Sequence, residues 1–85
     1  MIDVNQAVQN ANEYLQVFYP SVLNPMLEEV ELNDEKKQWL ITLSFVNEED
    51  KKEPVSLYAR QRIYKIFVIN AKDGLVVGMK SKSTK

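Results

Sequence analysis

The chain has no cysteine and no histidine, and only two glycines and three prolines in 85 residues. Without cysteine there is no disulfide scaffold, no thiol nucleophile and no cysteine-based zinc site. Without histidine as well, no Ser–His or Cys–His relay can form within one chain. Two glycines, Gly74 and Gly78, leave no glycine-rich phosphate loop, and neither precedes a helical pattern. The longest apolar run is the four residues Ile66 to Ile69, far short of the roughly 20 that span a bilayer. The start, Met1-Ile2-Asp3-Val4-Asn5, has neither the basic opening nor the apolar stretch of a secretory signal. These features predict a cytoplasmic protein with no membrane span, of bacterial or phage-borne type.

Apolar residues make up 45% of the chain, enough for one small core. The length makes one domain, taken as residues 1–80, with 81–85 as a polar basic tail. The net charge of −1 conceals a split. Residues 1–53 hold eleven acids and four bases (−7), and residues 54–85 hold one acid and seven bases (+6). The simplest expectation is that the two halves pair in one sheet and neutralise each other. The alternative is a two-signed surface that steers a partner.

Residues 3–19 read as an amphipathic helix. Val4, Val8, Ala11, Leu15 and Phe18 recur at helical spacing, and Ala7 and Tyr14 widen the stripe. Phe18 is therefore expected in the core. Asp3 is the predicted N-cap, with Gln6 placed for a capping box, and Pro20 ends the helix. A connector is expected over Ser21 to Pro25.

The period then changes to two. Strands are predicted over Leu27–Leu32, Gln38–Val46, Arg62–Ile69 and Leu75–Lys80. Trp39, Ile41, Leu43 and Phe45 share one face of the second strand, so Trp39 reads as core. Asn33 to Lys36 and Asn70 to Gly74 are turns, the latter with Gly74 free to take positive φ. The charged stretch 47–56 reads as a solvated loop. Short links favour an antiparallel meander. The fold class is α+β, with one N-terminal helix packed on a four-stranded antiparallel sheet.

The third strand is apolar on both faces: Tyr64, Ile66 and Val68 on one, Ile63, Phe67 and Ile69 on the other. A sheet with one wet face alternates more cleanly. Either the 47–60 loop covers the second face or a partner does, and a homodimer is the commonest partner for so small a domain. The candidate interface residues are Ile63, Phe67 and Ile69, joined by Tyr58 as an exposed aromatic at the loop exit.

Other chemistries find little footing. The carboxylates Glu28, Glu29, Glu31, Asp34 and Glu35, and the group Glu48, Glu49 and Asp50, lie on turns and strand ends beside lysines and read as solvated charge. No calcium-loop spacing occurs. No catalytic, metal or cofactor residue is assigned. Arg60, Arg62, Lys65, Lys72, Lys80, Lys82 and Lys85 lie near Tyr58, Tyr64 and Phe67, a mixture that holds single-stranded nucleic acid in some proteins. The sequence pI of about 5.4 counts against it. A small-ligand pocket under the sheet is a further alternative.

The final hairpin, Tyr64-Lys65-Ile66-Phe67-Val68-Ile69-Asn70-Ala71-Lys72-Asp73-Gly74-Leu75-Val76, resembles that of the PepSY domain and its small stand-alone relatives. In that family the hairpin runs aromatic-x-Val-x-Val-Asp-Ala-x-Thr-Gly-x-Val. Asn70 stands where aspartate is usual and Asp73 where threonine is usual; both suit a tight turn. Leu27 to Glu31 and Trp39 to Leu43 are similar to the family's first hairpin. The resemblance implies a non-catalytic module that binds or inhibits proteins, notably peptidases, usually outside the cytoplasm. The expected function is thus protein binding through a sheet face or edge, alone or as a homodimer.

Overall fold

The computed structural model describes residues 1–47 and 62–82. Helix α1 (Val4–Phe18) is followed by strands β1 (Val22–Asn33), β2 (Gln38–Asn47), β3 (Ile63–Asn70) and β4 (Val76–Ser81). The strands pair antiparallel in the order β1-β2-β3-β4, the expected meander, with the helix on one face.

Asp3 caps α1: its side chain accepts from the Gln6 backbone N–H at 2.9 Å. The reciprocal half of a capping box is not made. The Gln6 side-chain amide donates to Asn10 Oδ1 instead. At the far end the Tyr19 N–H bonds to the Leu15 carbonyl, and Pro20 allows no further turn. The buried stripe is Ala7, Ala11 and Leu15, with Val8 and Tyr14 partly buried. Phe18 is 55% exposed, contrary to its expected place in the core. Two alanines let the helix backbone approach the sheet, and the stripe they define leaves Phe18, on the last turn, beside Tyr14 at the rim.

Under the helix lie Ile41, Leu43 and Phe45 of β2 and Phe67 and Ile69 of β3. Each such side chain, fully buried, contributes about 1.5–3 kcal/mol. The register explains the selection. Ile41 pairs with Phe67 and Trp39 with Ile69, so the apolar row of β2 continues into the odd-numbered row of β3. Trp39 is half-buried against this core, and its Nε1 donates to the Ile2 carbonyl.

β1 is longer than expected. It starts at Val22 and takes in Val22 to Pro25, most of the expected connector Ser21 to Pro25. Register shifts fall between Leu23 and Met26 and between Leu27 and Glu29. An edge strand with bulges is where a proline, lacking its N–H, can sit in a sheet. Asn24 takes φ +49, which asparagine tolerates. At the other end, Ser81 belongs to β4, and the Lys82 N–H bonds to the Tyr64 carbonyl. The ordered pairing therefore runs past the predicted start of the tail.

One backbone bond ties the residues before the helix to the β3–β4 turn, a second joins that turn to the β1–β2 turn, and a third closes it. Ile2 N–H donates to the Ala71 carbonyl at 2.7 Å, Ala71 N–H to the Lys37 carbonyl at 2.9 Å, and Gly74 N–H to the Asn70 carbonyl at 2.8 Å. Gly74 has the positive φ, +81°, that the turn requires.

Candidate functional site

Two of the four expected interface residues have no surface to offer. Phe67 and Ile69 are 0% exposed beneath α1, and Ile63 packs at the edge of the same core. The face they form is the one the helix covers, so it is not a docking surface. Tyr58, with the stretch proposed to cover the sheet, lies outside the described residues. The row that faces away from the helix is the even-numbered one: Tyr64, Ile66 and Val68 of β3 beside Leu40, Thr42 and Ser44 of β2.

This outer face is partly closed by polar side chains. Ser44 is fully buried, yet both its hydrogen-bonding capacities are used. Its hydroxyl donates to Glu28 Oε2 at 2.6 Å and accepts from Arg62 Nε at 3.0 Å. Arg62 Nη2 also donates to the Ser44 carbonyl at 3.1 Å and to the Asn24 carbonyl. The cluster ties the bulged start of β1 and the approach to β3 to the middle of β2. Further along, Lys82 Nζ reaches Glu29 Oε1 at 2.7 Å. The β1 glutamates do not converge on a point. Among the described residues, no three potential metal ligands gather where a cation could sit. No helix among the described residues is long and apolar enough to cross a membrane.

The basic residues are dispersed in the same way. Arg62 is committed to Ser44 and Asn24, Lys82 to Glu29, and Lys65 Nζ to Ser81 Oγ at 2.8 Å. Phe67, named above as an aromatic among them, is buried and cannot stack on a base.

Exposed apolar side chains stand on β1, at Met26, Leu27 and Val30, and in a second place beside α1. A groove of about 380 Å³ runs between the second half of α1 and the start of β4, lined by Tyr14, Val17, Leu75 and Val76, with Asn10 and Glu13 at its rim. Val17 is 72% exposed and Leu75 62%; Val77, the extra residue at the β4 bulge, is exposed next to them. α1 positions Val17 one residue before Phe18, outside the buried stripe. Gly74 positions Leu75 by turning the chain upward into β4.

β4 is an edge strand, and among the described residues no strand pairs with its outer side. Hydrogen bonds alternate along an antiparallel ladder. The Lys82 N–H bonds to Tyr64, so Lys80 and Gly78 face Ile66 and Val68 as bonded pairs. The N–H and C=O groups of Met79 and Ser81 then point away from β3. No periodic pattern in the sequence marks this region. The available signals were Val17 on the polar side of the helix and Leu75 directly after a turn glycine.

No family model, curated protein or solved structure matches the chain.

Proposed function

We propose that this chain is a non-catalytic protein-binding module that takes an extended segment of a protein along the free edge of β4, with side chains of that segment seated in the groove against α1. The observation that carries the reading is that one edge strand offers both features: outward backbone groups at Met79 and Ser81, and at its start the groove with exposed Leu75 and Val17. An added strand gains affinity from main-chain hydrogen bonds and selectivity from a pocket for alternate side chains. A long helix lying beside an edge strand supplies both.

The same reading agrees with what the PepSY-like hairpin implies. It is also favoured over catalysis by the state of Ser44. A hydroxyl held between a carboxylate and a guanidinium resembles an activated nucleophile, but this one is fully buried and saturated by Glu28 and Arg62.

The experiment is a peptide-display selection against the folded protein, followed by backbone-amide NMR mapping of the enriched peptides. The expected outcome is perturbation concentrated at Met79, Ser81, Leu75 and Val17, with binding lost in Leu75→Lys. Enriched peptides that map to other surfaces and bind Leu75→Lys equally well would refute the proposal.

A further inference from the structure

The charge split along the chain has a definite place in the fold. β1 carries Glu28, Glu29 and Glu31 and no base; β4 and the residue after it carry Lys80 and Lys82 and no acid. The two are not neighbours. β2 and β3 lie between them, so the acidic and basic strands are the two open edges of one sheet, about 14 Å apart. Among the described residues, the expected neutralisation of the two halves is made by one ion pair across the outer face, Lys82 to Glu29. Among the described residues, neither Glu31 nor Lys80 has an ion-pair partner.

Both of these side chains belong to the outer row. Glu31 lies opposite Leu40, and Lys80 lies opposite Ile66. In a four-stranded meander β1 and β4 run in opposite directions. A second copy laid beside the first by simple translation thus presents its β1 antiparallel to β4, with both helices on one side. Lys80 then stands among the glutamates of the neighbouring β1. On the helix side, exposed Val30 of the neighbour continues the apolar row toward Met79 and the α1 groove. The bulges and Pro25 confine this pairing to the regular stretch of β1 from Glu29 to Asn33. The other two edge pairings are disfavoured, because β4 on β4 sets lysine against lysine and β1 on β1 sets glutamate against glutamate.

We propose that copies of this chain associate head to tail, the acidic β1 edge of one on the basic β4 edge of the next. The proposal rests on the reading of β4 as an edge that accepts an extended segment, and it names that segment. Such a heterologous contact does not close at two copies.

The test is light scattering across protein concentration and salt for the wild type, Lys80→Glu, Glu31→Lys and their equimolar mixture. Circular dichroism verifies that each exposed-site variant is folded. The wild-type mass is expected to rise with concentration beyond twice 9.9 kDa at low salt and to fall back toward 9.9 kDa at high salt. Each variant alone sets like charges at positions 31 and 80 and is expected to stay monomeric, whereas the mixture restores opposite charges there and regains association. A wild-type mass fixed at 9.9 kDa, a plateau at twice that mass, or a mixture that fails to associate would each overturn the proposal. A monomeric wild type that still captures display-selected peptides at β4 ends the self-association and leaves the edge reading standing. A monomer that captures none there ends both.

Discussion

Asn10 Nδ2 donates to the carbonyl of Gly74 at 2.9 Å, tying the middle of α1 to the β3–β4 turn across 64 residues of sequence. A Cβ built on Gly74 would stand 2.9 Å from that same Nδ2, at a backbone φ of +81°. The turn thus uses glycine twice: for its conformation and for the close approach of the helix. Gly74→Ala is expected to cost about 2–3 kcal/mol, from about 1–2 kcal/mol of left-handed strain plus the displaced Asn10. Asn10→Ala alone should cost about 1 kcal/mol, the worth of one hydrogen bond. The double variant should cost less than the sum, because the collision is gone while the strain remains. Urea denaturation of all four proteins checks this, and strict additivity would show that the two residues act independently.

Phe67 tests which face of β3 is inside. It is fully buried and meets Tyr14 edge-on, with ring centroids 6.2 Å apart. Phe67→Ala should cost about 3–5 kcal/mol, a large part of what a domain this small possesses. Phe67→Lys is expected to leave an unfolded chain rather than a folded monomer. Ile66→Ala, one residue away on the outer row, should cost less than half as much as Phe67→Ala. Comparing thermal midpoints by circular dichroism decides it; a folded Phe67→Lys protein would place the residue outside the core.

These two cases show what the residues alone made legible. The α1 stripe, the Asp3 cap, the alternation of Trp39 through Phe45 and the glycine turn all follow from short-range rules, and each stands in the structure. The face of β3 does not follow from such rules. Both of its rows are apolar, and the choice is made by pairing Ile41 with Phe67, a register between strands far apart in sequence. Phe18 falls on the spacing of the stripe, but the helix closes on the sheet through Ala7, Ala11 and Leu15 and its last turn lies at the rim. The candidate groove escaped notice because its walls, Val17 and Leu75, lie far apart in sequence and outside any periodic pattern.

The Glu28–Ser44–Arg62 cluster makes a third prediction. Ser44 has no exposed surface, so removing its hydroxyl takes a partner from the half-buried Arg62 Nε, while exposed Glu28 can turn to solvent. Ser44→Ala should cost about 1–3 kcal/mol. A double-mutant cycle with Arg62→Ala should return a coupling of about 0.5–3 kcal/mol. A coupling near zero would mean that each side chain finds water as an equal substitute.

The Lys82–Glu29 bridge is expected to behave differently, although its 2.7 Å separation is as short as any polar contact on that face except Ser44 to Glu28 and Arg62 to Asn24. Its side chains are 38% and 58% exposed. Solvent and salt screen such a pair, and double-mutant cycles on comparable pairs give about 0.2–1 kcal/mol. Lys82→Ala should therefore shift stability by no more than about 0.5 kcal/mol, and the difference from wild type should vanish in high salt. A larger, salt-resistant loss would show that the aliphatic stem of Lys82, rather than its charge, seals the outer face.

The groove makes the last prediction, because there stability and function should separate. Val17 and Leu75 are mostly exposed, so neither supports the fold through burial. Lysine at either position is expected to change the unfolding free energy by no more than about 0.5 kcal/mol, as for ordinary surface substitutions. Binding should respond otherwise. A cation in an apolar groove must stay hydrated, and it excludes the apolar side chain that the groove would receive. Val17→Lys and Leu75→Lys should each weaken capture of display-selected strands at least tenfold, whereas Gln16→Lys, one residue from Val17 on the exposed helix surface, should leave it unchanged. Calorimetric titration of the three variants with one selected peptide measures the contrast. Equal affinity in all three would mean that the edge of β4 binds, if it binds, through its backbone alone.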